Sequence, residues 1–521
     1  MTALLEALGG GFALFAQPGF WVAVIIGTLF GVVVGALPGL GTTLAYALIL
    51  PFTYSLDIST TIALLMSVSV GVQFGNSIPA ILVGVPGSPA AVLSVLDGFA
   101  MHKKGQTSLA LGIAYVAALS GQFVSVLFFA AAVIPLAAVA FHFLSPELFA
   151  LYLFGIFAIV SLTGRNVLKG LMAACIGLLI AVVGLDPVNY QPRFTFDQWF
   201  LNTGLNASAA IIGFLAVSEL FRQSRQVFQW GGSDTTAPTI RFPKLREFRS
   251  TLLPMAGGTV VGTLVGAIPG AGGTPAALIS YQQAQMMSKN PQQFGKGSPQ
   301  GLAANESAQN ASSSGELIPT LGLGIPASGS TTLLLAALTL NGFVPGPGLV
   351  QEFPELFAAV VGGLMGSTVF LVLTGWPMAR VMLKVLTVNR TLVIMGALLT
   401  VVMGVYSLNY RVDDVVVCFV CGAIGYFMLR YGYSTAAAAL AVILAAGLEA
   451  SLRRGLSLFD DDVLAFVSRP VTAGILLLAF LFLAVGVRRT ITTNRAEAAE
   501  AAALASAGAP SEWIEQRPRT P

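Results

Sequence analysis

The sequence predicts an all-α membrane protein that crosses the bilayer many times. Of its 521 residues, 55% are hydrophobic and only 9% are charged, whereas about a quarter of the residues in soluble domains are charged. Apolar stretches recur along most of the chain, and the one between Arg390 and Arg411 carries no charge. A span needs about 20 residues, so we predict roughly 10–14 transmembrane or re-entrant helices. A β-barrel would instead require short segments of alternating polarity.

The placement of charge divides the chain into four parts. Residues 1–100 contain no Lys or Arg, so we expect no basic region of a cleavable signal peptide. The segment 222–250 contains six Lys or Arg residues and only two acidic residues, Asp234 and Glu247. The positive-inside rule puts this segment and the tail in the cytoplasm. The predicted divisions are a first membrane repeat, 1–221; a cytoplasmic basic linker, 222–250; a second membrane repeat with additional helices, 251–487; and a disordered cytoplasmic tail, 488–521.

Two helix-breaking phrases occur twice in the same order. "GALPGLGTT" at 35–43 returns as "GAIPGAGGT" at 266–274, an offset of 231 residues. "SIPAILVGVPGSP" at 77–89 returns as "LIPTLGLGIPASG" at 317–329, an offset of 240. Pro and Gly interrupt helices, and paired interruptions at corresponding positions of two halves indicate the binding site of a secondary transporter. The alternative is that the glycines serve helix packing alone. We expect the two halves to be inverted, as in many such transporters.

The interrupted helices offer an anion site without a basic side chain. Helix N-termini present free N–H groups and the positive end of the helix dipole, and the four phrases contain no Lys or Arg. An anion would then be held by dipoles, hydroxyls and co-bound cations. The predicted substrate-binding residues are Pro38, Gly39, Gly41, Thr42, Thr43, Ser88, Pro269, Gly270, Gly272, Gly273, Thr274, Ser328 and Ser330.

A dense polar stretch, "GLAANESAQNASSSGELIP" at 301–319, precedes the last interruption. If 301–311 is helical, Glu306 and Asn310 are one turn apart on one face, and a carboxylate inside a membrane is a functional candidate. A solvated loop is the alternative, and the role of Glu316, which aligns with Asn76, stays open. The predicted ion-coupling residues are Asn76, Asn305, Glu306 and Asn310, with Na⁺ as the possible coupling ion and no other metal or cofactor.

The sequence does not favour an enzyme. The segment "FGKGS" at 294–298 is not a phosphate-binding loop, because Asn290 stands where the first glycine is required and Gly297 where Ser or Thr must follow the lysine. We therefore expect no transport powered by nucleotide. Cys418 and Cys421 lie in an apolar run and are predicted to be buried thiols. The chain has two His residues, neither of them near the Ser-rich stretch, which argues against an intramembrane hydrolase.

At the four Gly/Pro phrases and the polar stretch the sequence resembles the large transmembrane subunit of the tripartite tricarboxylate transporter family (TctA-type). The family typically has Pro-Glu and two adjacent Asn residues where this chain has Asn305-Glu306 and Gln309-Asn310. The resemblance implies a multi-pass protein of the bacterial inner membrane that imports citrate-like carboxylates with Na⁺ or H⁺. It also implies a small membrane subunit (TctB-type) and a periplasmic solute-binding protein (TctC-type) as partners, and no nucleic acid. A passive anion channel and a carrier for a non-carboxylate solute are the alternatives.

Overall fold

The computed structural model describes residues 14–37, 40–140, 142–163, 166–186, 191–226, 248–343, 346–385 and 390–506. Its α-helices of five or more residues are α1 Pro18–Ala36, α2 Thr42–Ile49, α3 Ile58–Leu82, α4 Thr107–Ala140, α5 Ser145–Thr163, α6 Val167–Val182, α7 Ala207–Ile212, α8 Ser218–Gln226, α9 Leu252–Gly266, α10 Gly273–Met287, α11 Pro299–Gly315, α12 Leu317–Leu323, α13 Gly329–Leu340, α14 Pro347–Glu352, α15 Pro354–Val385, α16 Arg390–Asn409, α17 Val412–Arg430, α18 Thr435–Leu458, α19 Val463–Val467 and α20 Pro470–Ser506.

Short helical turns and one small hairpin complete the secondary structure of the described residues. The two strands, β1 Gly184–Leu185 and β2 Pro192–Arg193, pair antiparallel. The turns are Leu50–Ser55, Pro89–Ala91, Val92–Ser94, Val95–Phe99, Ala100–Lys103, Trp199–Leu201, Gly213–Val217 and Pro291–Gln293.

The predicted helical membrane fold is confirmed. Within the described residues, seven helices are long and apolar enough to cross a membrane, and six shorter apolar helices accompany them. The seven long and six shorter helices, thirteen in all, lie within the predicted range of 10–14. In an apolar 18-residue stretch of Ile58–Leu82, 83% of the residues are buried within the protein, against 22% in Pro470–Thr492. The first is therefore a central helix and the second a peripheral one.

Glycine stripes bring two pairs of helices into backbone contact. A Cβ on Gly31 of α1 would lie 2.4 Å from the carbonyl oxygen of Val68 in α3, and one on Gly262 of α9 would lie 2.3 Å from that of Ala308 in α11. Gly31 and Gly262 are 231 residues apart, the offset of the first repeated phrase. The duplication therefore includes the packing of these helices, in which small residues let the backbones approach closely.

The two halves run in opposite directions. In α1 and α3, Gly27 meets Leu64 and Gly35 meets Val72, so these two helices are parallel. Between the halves, Ser77 of α3 hydrogen-bonds Glu306 of α11, while Ile81 and Leu302, further along α3 and nearer the start of α11, both pack on Gly98. Helices α3 and α11 are therefore antiparallel, which is the relation expected of inverted repeats.

Each half contributes one long helix to the other half. Helix α4 packs on α11, where Thr263 Oγ1 of α9 donates to Ser125 Oγ of α4 (3.0 Å). Helix α15 packs on α3, where Thr28 Oγ1 of α1 donates to Ser367 Oγ of α15 (2.8 Å). Ser125 and Ser367 are 242 residues apart, so the exchange is reciprocal and fastens the halves together.

Helix directions place the acidic run Asp460–Asp462 and the basic residues of α8 at opposite ends of the bundle. Helices α8 and α17 are parallel, since Gly213 meets Cys418 and Gly425 meets Ser218. The loop between α6 and α7 joins the start of α17 to the end of α18, through Asn206–Asp414 (3.1 Å) and Asp186–Arg453 (3.0 Å). Asp460–Asp462 thus lie at the end opposite Arg222 and Arg225.

The C-terminal helix returns to the basic end. Helix α5 runs antiparallel to α18, since Tyr152 meets Gly447 while Gly155 meets Leu444. Helix α20 runs parallel to α5, through Glu147–Arg469 (2.6 Å) and the contact of Ser161 with Gly486. Arg488 and Arg489 therefore lie at the end that carries Arg222.

Two predicted boundaries differ from the structure. Helix α8 continues to Gln226, into the predicted linker, because Glu219 accepts hydrogen bonds from Arg222 and Gln223 one turn away. Helix α20 continues to Ser506, past the predicted start of the tail at 488, because its Ala, Glu and Arg residues favour helix. Residues 227–247 and 507–521 lie outside the described residues.

Candidate functional site

Each half begins its first interruption at the end of a glycine-striped helix. Gly41 precedes the first residue of α2 and Gly272 that of α10. Gly270 and Gly272 adopt φ of 80° and 66°, values that favour glycine, and the buried Pro269 lies beside them. Pro38 and Gly39, both predicted substrate residues, lie outside the described residues.

The second interruptions follow α3 and α12. Gly84 and Gly324, 240 residues apart, have φ of 71° and 74°. In the second half Ser328 then caps α13, accepting from Thr331 N while the Thr331 side chain accepts from Ser328 N. In the first half Ser88 precedes a three-residue turn. The repeated phrases thus produce matching breaks, as predicted.

The interruptions meet in a crossed arrangement. A Cβ on Gly329, at the start of α13, would lie 3.1 Å from Thr43 Oγ1, at the start of α2. A Cβ on Gly273, at the start of α10, would lie 3.6 Å from the Cβ of Ala90, in the turn after Ser88. The first interruption of each half therefore contacts the second interruption of the other.

Predicted substrate residues at the helix starts are half-buried, whereas the predicted ion-coupling residues are fully enclosed. The half-buried residues are Gly41, Thr42, Thr43, Ser88, Gly272, Gly273, Thr274, Ser328 and Ser330. Asn76, Asn305, Glu306 and Asn310 expose 1% of their surface or less. The residues at the helix starts are therefore partly accessible, while the second group is closed off within the protein.

Glu306 joins the two halves through hydroxyl groups. Its carboxylate accepts a hydrogen bond from Ser77 Oγ (2.5 Å) and another from Ser94 Oγ, and Asn305 Nδ2 also donates to Ser94 Oγ (2.6 Å). Asn310 Nδ2 donates to the Glu306 backbone carbonyl (2.9 Å), one turn away on α11. The predicted helix over 301–311 is therefore confirmed, and the solvated loop is excluded.

Glu316, whose role the sequence left open, lies at the second-half interruptions. Ser328 Oγ donates to Glu316 Oε2 (2.6 Å), and a Cβ on Gly272 would lie 3.8 Å from Glu316 Oε1. This carboxylate therefore lies between the start of α10 and that of α13. It is in contact with predicted substrate residues, although the predicted set does not include it.

Sequence reasoning missed two polar residues that organise the site. Asp97, fully buried, accepts from Gly297 N (2.9 Å), Ser298 N (2.8 Å) and Tyr281 Oη (2.8 Å), so a first-half carboxylate fixes the N-terminus of α11. Gln122 of α4 donates to Ser314 Oγ (2.7 Å) and accepts from Ser313 Oγ (3.0 Å). The only sequence signal for Asp97 was the "DGF" at 97–99, echoed by "NGF" at 341–343.

The two neighbouring cysteines serve packing. Cys418 and Cys421 are buried, and a Cβ on Gly213 would lie 2.3 Å from the carbonyl oxygen of Cys418. This close helix contact confirms the prediction of buried thiols.

Comparison with known proteins agrees with this architecture. The chain is 33% identical over 499 residues, 95% of its length and 98% of the relative's, to an Agrobacterium vitis protein described as an uncharacterized 52.8 kDa protein in the TAR-I ttuC' 3' region. A second protein of that organism, from the TAR-II ttuC' 3' region, is 32% identical over 234 residues, 45% of this chain and 97% of the relative. No solved structure matches the chain. The family model of the tripartite tricarboxylate transporter TctA family matches residues 21–440, and this multi-pass membrane protein therefore belongs to that family.

Proposed function

We propose that this protein is the membrane subunit of a binding-protein-dependent secondary transporter that imports tricarboxylates or related carboxylate anions, driven by Na⁺ or H⁺. The observation that carries the proposal is the crossed contact of helix starts from two antiparallel halves, Thr43 with Gly329 and Gly273 with Ala90. Paired broken helices of this kind form substrate sites in secondary transporters. Family membership supports the same role.

The helix starts suit a carboxylate. The first N–H groups of α2 and α10 have no backbone partner within their own helices, and at α13, where Ser328 and Thr331 pair with each other's N–H groups, those of Gly329 and Ser330 remain. Thr42, Thr43, Thr274 and Ser330 add hydroxyl donors. Such a site holds an anion by dipoles and hydrogen bonds. Because Lys and Arg are absent from all four phrases, co-bound cations would supply the balancing positive charge, which is the basis for ion coupling.

The proposal includes two partners and a cellular location. A small TctB-type membrane subunit and a periplasmic TctC-type solute-binding protein complete the transporter, in the bacterial inner membrane. The basic end of the bundle, with Arg222, Arg225, Arg488 and Arg489, would face the cytoplasm. The acidic end, with Asp460–Asp462, would face the periplasm and receive the binding protein.

Uptake into proteoliposomes tests the proposal. The vesicles hold this protein with its small membrane partner and the cognate binding protein, and receive labelled citrate or other di- and tricarboxylates with and without an inward Na⁺ or H⁺ gradient. We expect gradient-dependent uptake of at least one carboxylate that also requires the binding protein. Flux that depends on neither the ion gradient nor the binding protein would indicate a passive channel. Absence of flux for every carboxylate would favour a different solute.

A further inference from the structure

Two buried polar atoms of the first half lack the hydrogen bond that their counterparts make. Asn76 and Ser88 correspond to Glu316 and Ser328 at the repeat offset of 240. In the second half the Ser328 hydroxyl donates to the Glu316 carboxylate (2.6 Å). In the first half Asn76 Oδ1 and Ser88 Oγ are both buried and have no hydrogen-bond partner. Leaving a buried polar atom unpaired is costly, so this pair of atoms favours a ligand that both can bind.

A backbone carbonyl converges on the same point. A Cβ on Gly87 would lie 2.6 Å from Asn76 Oδ1 and 2.9 Å from the carbonyl oxygen of Gly35. Gly35 is in the last turn of α1, where carbonyls lack partners within the helix. Asn76 Nδ2 is directed to Gln73 Oε1 (3.3 Å), and Asn76 Oδ1 lies on the side of Gly87. Asn76 Oδ1 and the Gly35 carbonyl thus offer two oxygens beside a glycine with no side chain. Ser88 follows Gly87 in the chain, and the contact of its counterpart Ser328 with Glu316, the counterpart of Asn76, supports it as the third oxygen.

We propose that Asn76 Oδ1, Ser88 Oγ and the Gly35 carbonyl bind a sodium ion. The inference deepens the proposed ion-coupled transport and rests on it. Na⁺ is coordinated in transporters by carbonyls of unwound segments and half-helix C-termini, and the three oxygens include no carboxylate, which suits a monovalent cation rather than a divalent one. In the second half the Glu316 carboxylate takes up the Ser328 hydroxyl, so the proposed site is specific to the first half.

The position of the ion would link it to transport. The site joins the end of α1, at the first interruption, to Ser88, at the second. A bound Na⁺ would hold these two interruptions in one arrangement, next to the turn where Ala90 meets the start of α10. Binding of the cation would thereby order part of the proposed substrate site and add positive charge near a carboxylate.

Direct binding of ²²Na⁺ to the purified protein in nanodiscs, without substrate, tests the site. We expect saturable binding by the wild type and an affinity lower by at least about tenfold in Asn76→Ala and Ser88→Ala, because loss of a ligand weakens a metal site at least as much as loss of its supporting residues. Gly87→Ala keeps all three oxygens but fills the space beside Asn76 Oδ1 and the Gly35 carbonyl, and we expect the same loss. Asn341→Ala is the control, since this amide already donates to Ala337 O (2.8 Å) and should leave Na⁺ affinity unchanged.

Either of two results would overturn the site: no saturable Na⁺ binding by the wild type, or wild-type affinity in folded Ser88→Ala. Because Ser88 is only half-buried, we expect Ser88→Ala to fold. Its Na⁺ affinity therefore tests the site even if Asn76→Ala does not fold. Carboxylate uptake measured on the same preparation separates the two proposals. Uptake without Na⁺ binding would refute the sodium site alone, and Na⁺ binding without uptake of any carboxylate would refute the proposed substrate class alone.

Discussion

Glu306 is enclosed by two hydroxyls that come from the opposite half of the chain. Ser77 and Ser94, its partners, lie 229 and 212 residues away in sequence. Among the described residues only these hydroxyls donate to the carboxylate and no basic side chain pairs with it, whereas ionised groups in the membrane interior require a counter-charge. The position therefore suits a group that binds a coupling cation or a proton during transport.

Replacing the carboxylate tests this role. We expect Glu306→Gln to lower the initial rate of ion-driven carboxylate uptake by about tenfold, because the amide keeps the shape but removes the charge that balances a cation. Glu355→Gln, at an exposed position near the start of α15, is the matched control and should transport normally. Unchanged sodium dependence of Glu306→Gln at normal expression would remove Glu306 from the ion site.

The sequence was sufficient to identify Glu306 but not its environment. Helical spacing placed Glu306 and Asn310 on one face because that relation is local. The sequence does not predict Ser77 and Ser94 as partners of Glu306, because contacts across the two halves depend on how antiparallel helices cross. Asp97 was missed for the same reason, since its three donors lie about two hundred residues further along the chain.

Among the helices, the glycine stripes determine how closely the packed helices of each repeat approach each other. Gly258, Gly262 and Gly266 of α9 all face the backbone or small side chains of α11, and Gly27, Gly31 and Gly35 do the same between α1 and α3. The stripes end at Gly35 and Gly266, just before the first interruption of each half, so each interruption begins where two backbones are in contact. The packing role that the sequence left as an alternative therefore accompanies the interruptions and positions them.

Two glycines of α9 provide a matched pair of substitutions. We expect Gly262→Ala to destabilise the protein by about 1–3 kcal/mol through overpacking, because its Cβ would lie 2.3 Å from the Ala308 carbonyl oxygen. Gly257→Ala should be neutral or stabilising by about 0.5–1 kcal/mol, because its Cβ would lie 3.8 Å from Gln283 Oε1 and approach nothing closer. Thermal unfolding in detergent compares the two, and equal stability of both variants would contradict close packing of α9 on α11.

On the scale of the whole molecule, inversion of the halves explains why four interruptions reach one region. Parallel repeats would put both pairs of breaks toward the same face, whereas the antiparallel relation of α3 and α11 brings them together from opposite sides. The repeated phrases predicted that the halves correspond, but not which interruptions touch. The crossed pairing depends on α4 and α15, each of which packs on the other half.

The charge difference between the ends of the bundle predicts its orientation. In intact cells expressing a variant without its three native cysteines, we expect Asp461→Cys to react with a membrane-impermeant thiol reagent and Ser224→Cys to react only after permeabilisation, because basic ends stay in the cytoplasm. Both positions are exposed, so accessibility within the protein does not limit either reaction. Labelling of Ser224→Cys in intact cells would reverse the orientation.

In the proposed mechanism the helix starts of both halves bind one substrate. The most direct test of this mechanism is the half-saturation concentration for carboxylate uptake by Thr43→Val and Thr274→Val, with Thr339→Val, whose hydroxyl bonds Leu335 O (2.9 Å), as the control. Loss of a hydrogen bond to a charged group corresponds to about tenfold in affinity or more. We expect both first-named variants to raise the half-saturation concentration by that factor for the same carboxylate, with the control unchanged. Wild-type values in either of them, at normal expression, would contradict a shared site.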